Sequence, residues 1–228
     1  MDCRATLTPG AQATEWLDCF QRLPGGCRDA KPRLQPYYNR RDCPVKATGK
    51  RTVYEGRYLR VVEKNVVTRN GATGVWETVE RTNVHGNGVV VIIAVTRDGE
   101  LLLERNWRAP VESYVIQFPA GLMDVDGESE QETARRELLE ETGYVAKELV
   151  PVMVSPLSAE LTGTRAMHYF APDVEFVGTP ASSEIEEIEV VRVPVEKVDE
   201  FMLSLPADVE LDLRVPGILF VMRAQGLI

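Results

Sequence analysis

Residues 129–143, SEQETARRELLEETG, write both ends of a helix into one short run. Ser129 supplies an N-cap hydroxyl, and Glu132, three positions on, completes a capping box. Gly143 supplies the left-handed residue on which helices commonly stop. Ala134 and Leu138 fall on one side of the predicted helix, with Val145 near the same side. Glu137, Glu140 and Glu141 crowd its C-terminal half, where spacings of three and four put like charges side by side. Negative charge at that end also opposes the helix dipole. From the residues alone two readings stay open. One is a solvated acidic face, since Glu is a good helix former. The other is one wall of a cation site, where carboxylate oxygens in a row suit Mg²⁺ or Mn²⁺. The Gly-containing loop PAGLMDVDGE brings backbone carbonyls close to the start of the same helix.

The segments around the helix read mostly as strands. TVYEGRYLRVVEKNVV and VWETVER flank the turn RNGATG, which predicts an antiparallel hairpin or small sheet over residues 52–81. VVVIIAV at 89–95, the turn RDGE and LLLER at 101–105 predict a second β block, followed by a short strand at 114–118. Further strands are expected near 149–155, 165–171 and 187–193. Val195, Val198, Phe201, Met202 and Leu205 show helical spacing. A last helix is expected from about 216 to 225, with Pro216 at its start and Gly226 past its end. No internal repeat is visible. The expected fold class is α/β (α+β), a mixed sheet covered by helices.

Composition narrows the function classes. Lys plus Arg number 26 against 35 Asp plus Glu, a net charge of -9. No basic stripe suited to a nucleic-acid polymer stands out. The longest apolar run, at 88–95, is too short to span a bilayer. MDCRATLTPG carries no basic-then-apolar leader, so a cytoplasmic location is the expectation. Cys3, Cys19, Cys27 and Cys43 all fall in a Pro-, Gly- and Arg-rich N-terminal stretch, which holds one helix-like patch around 14–22. Their spacing lacks close pairs of the zinc-site kind, and free thiols in an extension of unknown role are expected.

Gly121, Glu128 and the run Arg136-Glu137-Leu138-Leu139-Glu140-Glu141-Thr142-Gly143-Tyr144 together resemble the Nudix box. Seven residues separate Glu128 from Arg136, as in that pattern, but six rather than five separate Gly121 from Glu128. The extra residue lengthens the loop before the helix and leaves the helical spacing intact, so metal binding is expected to survive it. LLLERNWRAPVESYVIQFPAGLMD resembles the segment before the box in ADP-ribose pyrophosphatases, with Asn106-Trp107-Arg108 where that subfamily has a Gln-Tyr-Arg-like stretch. The subfamily tends to have Glu where Gln117 stands, which removes one charge near the substrate. The likeness covers about residues 50–228.

The resemblance implies a Nudix-type α/β/α sandwich at 85–228, a small antiparallel sheet at 49–84 serving dimerisation and base recognition, and an extension at 1–48. It implies metal ligands at Glu137, Glu140 and Glu141 and at the carbonyl of Ala120. Glu128 and Arg136 would pair and orient the site. Glu186 aligns best with the family's catalytic base, with Glu184 as runner-up; a solvated acidic loop is the plainer alternative. Tyr58 and Trp76 match positions that stack on a nucleotide base across a homodimer, and Arg81, Arg108 and Gln117 are the expected substrate contacts. His85 and His168 are expected to be structural.

The function implied is metal-dependent hydrolysis of the diphosphate of ADP-ribose or a related nucleoside diphosphate sugar. Alternatives are GDP-mannose or oxidised guanine nucleotides as substrate, or a non-catalytic nucleotide-binding regulator. Metal ions bridging protein and phosphate would explain how an acidic chain takes an anionic substrate.

Overall fold

A run such as GVVVIIAVT has no polar side to offer water, so it must be covered on both faces. The computed structural model describes residues 44–178 and 187–228, and residues Val45–Ile228 form one compact unit. The helix-like patch at 14–22, the four cysteines, Glu184 and Glu186 lie outside the described residues.

Three strands come first: β1 (Val45–Glu55), β2 (Leu59–Thr68) and β3 (Thr73–Arg81). They pair antiparallel in the order β1-β2-β3. The first strand begins seven residues before the expected start at Thr52, because Val45 finds a partner in Thr68 across the hairpin. There follow β4 (Gly88–Thr96), β5 (Glu100–Arg108), β6 (Ser113–Gln117) and β7 (Ala120–Leu122), then helix α1 (Glu130–Thr142). The chain continues through β8 (Tyr144–Val145), β9 (Val150–Pro156), β10 (Arg165–Phe176) and β11 (Ile188–Pro194). A 3-10 turn over Val195–Lys197, α2 (Val198–Leu203), β12 (Val209–Leu211) and α3 (Arg214–Gln225) complete it.

The large sheet is mixed. Its main path runs β12-β6-β5-β4-β10-β8, with β11 on β5, β7 on β4 and β9 on β10. The β4–β10 and β6–β12 pairs are parallel, and the other pairs are antiparallel. Alternation along β4 splits the core in two. Val89, Val91 and Ile93 face a cluster with Val198, Ile218, Leu219 and Met222 of α2 and α3. Val90, Ile92 and Ala94 face Ala134 and Leu138 of α1. Helices therefore cover both faces, in the expected α/β/α arrangement. Val145 belongs to β8 and not to the helix, because Gly143 at φ 75° has already turned the chain.

The small sheet is tied to the large one through the loop before β10. Val79 donates its amide to Leu161 O at 2.9 Å, and Thr78 Oγ1 donates to the same carbonyl at 2.8 Å. The indole N–H of Trp76 donates to Glu160 O at 3.1 Å. Helix α1 is anchored by Leu138, which is fully buried. Leu138→Ala is expected to cost about 2–5 kcal/mol, read as a lower denaturation midpoint with an unchanged slope. A loss under about 1 kcal/mol would mean α1 is not held by this face.

Candidate active site

The helix that carries the acidic run is fixed at both ends by its own sequence. Ser129 Oγ accepts from the Glu132 amide at 3.3 Å, and the Ser129 amide donates to Glu132 Oε2 at 2.8 Å. At the other end the Gly143 amide donates to Leu139 O at 2.9 Å. No basic residue occupies the last turn. The compensating charge comes from within the helix, from Arg136.

Arg136 binds three carboxylates at once. Its Nε donates to Glu128 Oε1 at 3.0 Å and its Nη2 to Glu128 Oε2 at 3.1 Å, while Nη1 donates to Glu137 Oε1 at 2.8 Å and to Glu140 Oε2 at 3.1 Å. The guanidinium beside Glu128 holds that carboxyl below the usual carboxylate range. Thr133 Oγ1 also donates to Glu128, at 2.9 Å. Residues 124–127, just before Glu128, form an exposed loop in which Gly127 turns the chain at φ 83°. The pairing of Glu128 with Arg136 is intact.

Gly121 explains itself by contact. A Cβ there would come within 1.9 Å of the Glu137 carboxyl carbon, so the acid lies directly on the β7 backbone. Burial pushes the Glu137 carboxyl up, against the pull of Arg136. Glu141 is buried further along. Its Oε2 accepts from the Ala120 amide at 3.0 Å. Burial first, and then the facing Glu104 and Glu137, push its carboxyl up to about 10.

Glu104 is the residue that the sequence reading missed. It is fully buried in β5, shares a hydrogen bond with Glu141, and accepts from Gln117 Nε2 at 3.2 Å. Gln117 Oε1 accepts in turn from Arg108 Nε at 2.9 Å. Glu104 and Gln117 are direct partners across β5 and β6. Glu104, on the neighbouring strand, thus sets a buried carboxylate beside the Gln117 amide. The period-2 alternation from Leu102 to Glu104, Asn106 and Arg108 was the available signal.

The remaining expected residues lie apart from this cluster. Tyr58 sits in the turn between β1 and β2, about half exposed, with Arg57 over its ring at 5.0 Å. Trp76, equally exposed, stands on β3. Arg81 lines a groove of about 260 Å³ with Glu80, Asn87, Thr162 and Thr164, which none of the cluster carboxylates lines. His85 pairs with Asp126 at 2.9 Å. His168 is fully buried against Met153 O, and burial lowers its pKa.

Among the described residues no three His, Cys, Asp or Glu side chains are already gathered as a ligand set. Glu137 is engaged by Arg136 and Glu141 by Ala120. The donor chemistry nevertheless fits a hard divalent cation: buried carboxylates that repel one another lie against β7, the strand that bears the Ala120 carbonyl.

A sequence model of the NUDIX domain matches residues 85–212. The putative nudix hydrolase 2 of Caenorhabditis elegans is 34% identical over 115 residues, 48% of this chain and 51% of that protein. The ADP-ribose pyrophosphatase of Bacillus subtilis (strain 168) is 28% identical over 152 residues, 66% of this chain and 79% of that protein. The ADP-sugar pyrophosphatase of Mus musculus is 35% identical over 103 residues, 42% of this chain and 47% of that protein. The chain thus spans about half the length of two of these relatives. The crystal structure of an ADP compounds hydrolase superposes with a TM-score of 0.65 at 26% identity, covering 82% of this chain and 98% of that one.

Two outcomes test the cluster. Gly121→Ala is expected to displace the Glu137 carboxylate, and with it any bound Mn²⁺, with a smaller effect on folding; wild-type Mn²⁺ affinity would show that the contact is not needed. The second is a pH dependence. Glu141 holds its proton more tightly folded than unfolded, so its stabilising contribution is full below the ordinary carboxylate range and is lost as pH rises toward about 10. His168, whose pKa burial lowers, acts in the opposite sense, and its effect fades above the ordinary histidine range. The metal-free protein should therefore lose up to roughly 1 kcal/mol per pH unit between about pH 7 and pH 9. Glu141→Gln should flatten that slope, and an unchanged slope in the variant would assign it elsewhere.

Proposed function

The chain belongs to the Nudix family, and we propose that it is a metal-dependent hydrolase of the diphosphate in ADP-ribose or a related nucleoside diphosphate sugar. The observation that carries this reading is the contact of Glu137 with Gly121, locked by the pairing of Arg136 with Glu128. It sets the acidic helix against the strand that bears the Ala120 carbonyl. The relatives named for ADP-ribose, ADP-sugar and ADP compounds point to the substrate class.

In this reading Glu137, Glu140, Glu141 and the Ala120 carbonyl hold Mg²⁺ or Mn²⁺. The ions, when bound, activate a water and neutralise charge on the phosphates. Arg136 orients Glu137 and Glu140 through hydrogen bonds of fixed direction and keeps Glu128 in place as a brace. Glu186, or failing it Glu184, takes the proton of the attacking water. With ADP-ribose the broken P–O–P bond yields AMP and ribose 5-phosphate. Arg108 and Arg81 offer guanidinium forks for phosphate or base. Tyr58 and Trp76 stack on the base across a homodimer built on the small sheet, where Val53, Tyr54 and Val75 are also exposed.

A panel of ADP-ribose, GDP-mannose and dinucleoside polyphosphates, with and without Mg²⁺ or Mn²⁺, tests class and substrate together. Turnover is expected only with metal and fastest on ADP-ribose; no turnover of any diphosphate removes the enzyme reading. Glu141→Gln is expected to lower turnover ~100-fold or more while the fold persists. Trp76→Ala is expected to raise KM with little change in kcat, and an unchanged KM makes Trp76 a packing residue.

A further inference from the structure

The inner face of β5 passes from core to polar within one strand. Leu102 packs beneath α1, and the same face then presents Glu104, Asn106 and Arg108. Glu104 is fully buried and in contact with Glu141, and Gln117 fixes its Oε2 at 3.2 Å. Asn106, one pleat further along, is only 1% exposed. Neither its Nδ2 nor its Oδ1 has a hydrogen-bond partner among the described residues. Leaving both ends of a buried amide unmatched is costly, and native structures do so chiefly where a ligand, ion or water completes the site.

We infer that Glu104 is a further carboxylate of the divalent-cation site, and that Asn106 hydrogen-bonds an oxygen of the bound ion's remaining shell. The inference rests on the reading of Glu141 as a metal ligand. A divalent cation would offset the mutual repulsion of the two neighbouring buried carboxylates. Gln117 has a distinct part: its amide gives one hydrogen bond to Glu104 and takes one from Arg108, so the acid is aimed before the ion arrives. Asn106 stands beside that position with a donor and an acceptor both unspent.

The test is Mn²⁺ binding to the full chain, read from the loss of the free-ion resonance signal, with thermal unfolding measured without metal. Glu104→Gln keeps shape and a partner for Gln117, so it is expected to fold with a midpoint no lower than wild type. Its Mn²⁺ affinity is expected to fall ~10-fold or more. Asn106→Leu removes an unmatched amide, so it too should fold at least as stably, with Mn²⁺ affinity reduced severalfold. Glu200→Gln, on the exposed side of α2, should bind Mn²⁺ as wild type does. Wild-type affinity in Glu104→Gln, where Glu141→Gln has lost it, overturns this inference and leaves the metal reading standing. Wild-type affinity in Asn106→Leu removes Asn106 from the site. Failure of the wild-type chain to bind Mn²⁺ overturns both the inference and the metal reading.

Discussion

Arg136 is the interaction on which the rest of the site depends. Helix α1 brings three acids to its C-terminal half and no basic residue to its last turn, so its own dipole works against it. One guanidinium answers this by reaching Glu128 in the preceding loop and Glu137 and Glu140 on the helix. The planar fork matters because a carboxylate gripped at Nε and Nη2 is held in direction as well as distance. A lysine would neutralise charge there without fixing where any oxygen points. Glu128 in turn ties the loop to the helix through Arg136 and Thr133.

The second constraint is how close a backbone may approach a side chain. Glu137 lies on β7 at a place where even a methyl group would collide. Glycine at 121 is therefore a matter of space: its φ is not in the left-handed region, unlike that of Gly143. β7 pairs with β4, the strand buried on both sides, which makes the surface under the acids stiff. A buried carboxylate pressed on a rigid strand has little room to relax its repulsions by swinging into water.

Most of α1 was legible in the sequence because caps and stop are local code: Ser129, Glu132 and Gly143 need no distant partner to declare a helix boundary. The long strands were legible from apolar runs and alternation. β7, β8 and β12 are two or three residues long, too short to carry a period, and exist only because a neighbour lends them a ladder. The early start of β1 likewise belongs to its pairing with Thr68, not to any propensity of Val45. Within the site, Arg136, Glu137 and Glu141 were readable as a pattern. Glu104 was harder to read, since LLLER ends like any strand reaching solvent; alternation puts it on the face of Leu102, and the register with Gln117 and the depth of the sheet show that it stays inside.

That register changes how the acid–amide pair should be understood. Glu104 and Gln117 stand on the same rung of the β5–β6 ladder, acid on one strand and amide on the other. Direct cross-strand partners share a face and a neighbourhood, so the carboxylate and its amide partner stay in one patch. From β5 the acid stands against Glu141 of α1. The patch therefore concentrates negative charge at the buried end of the helix instead of toward the loop. This is the arrangement in which a small, hard cation gains most and a proton is the natural substitute when none is bound.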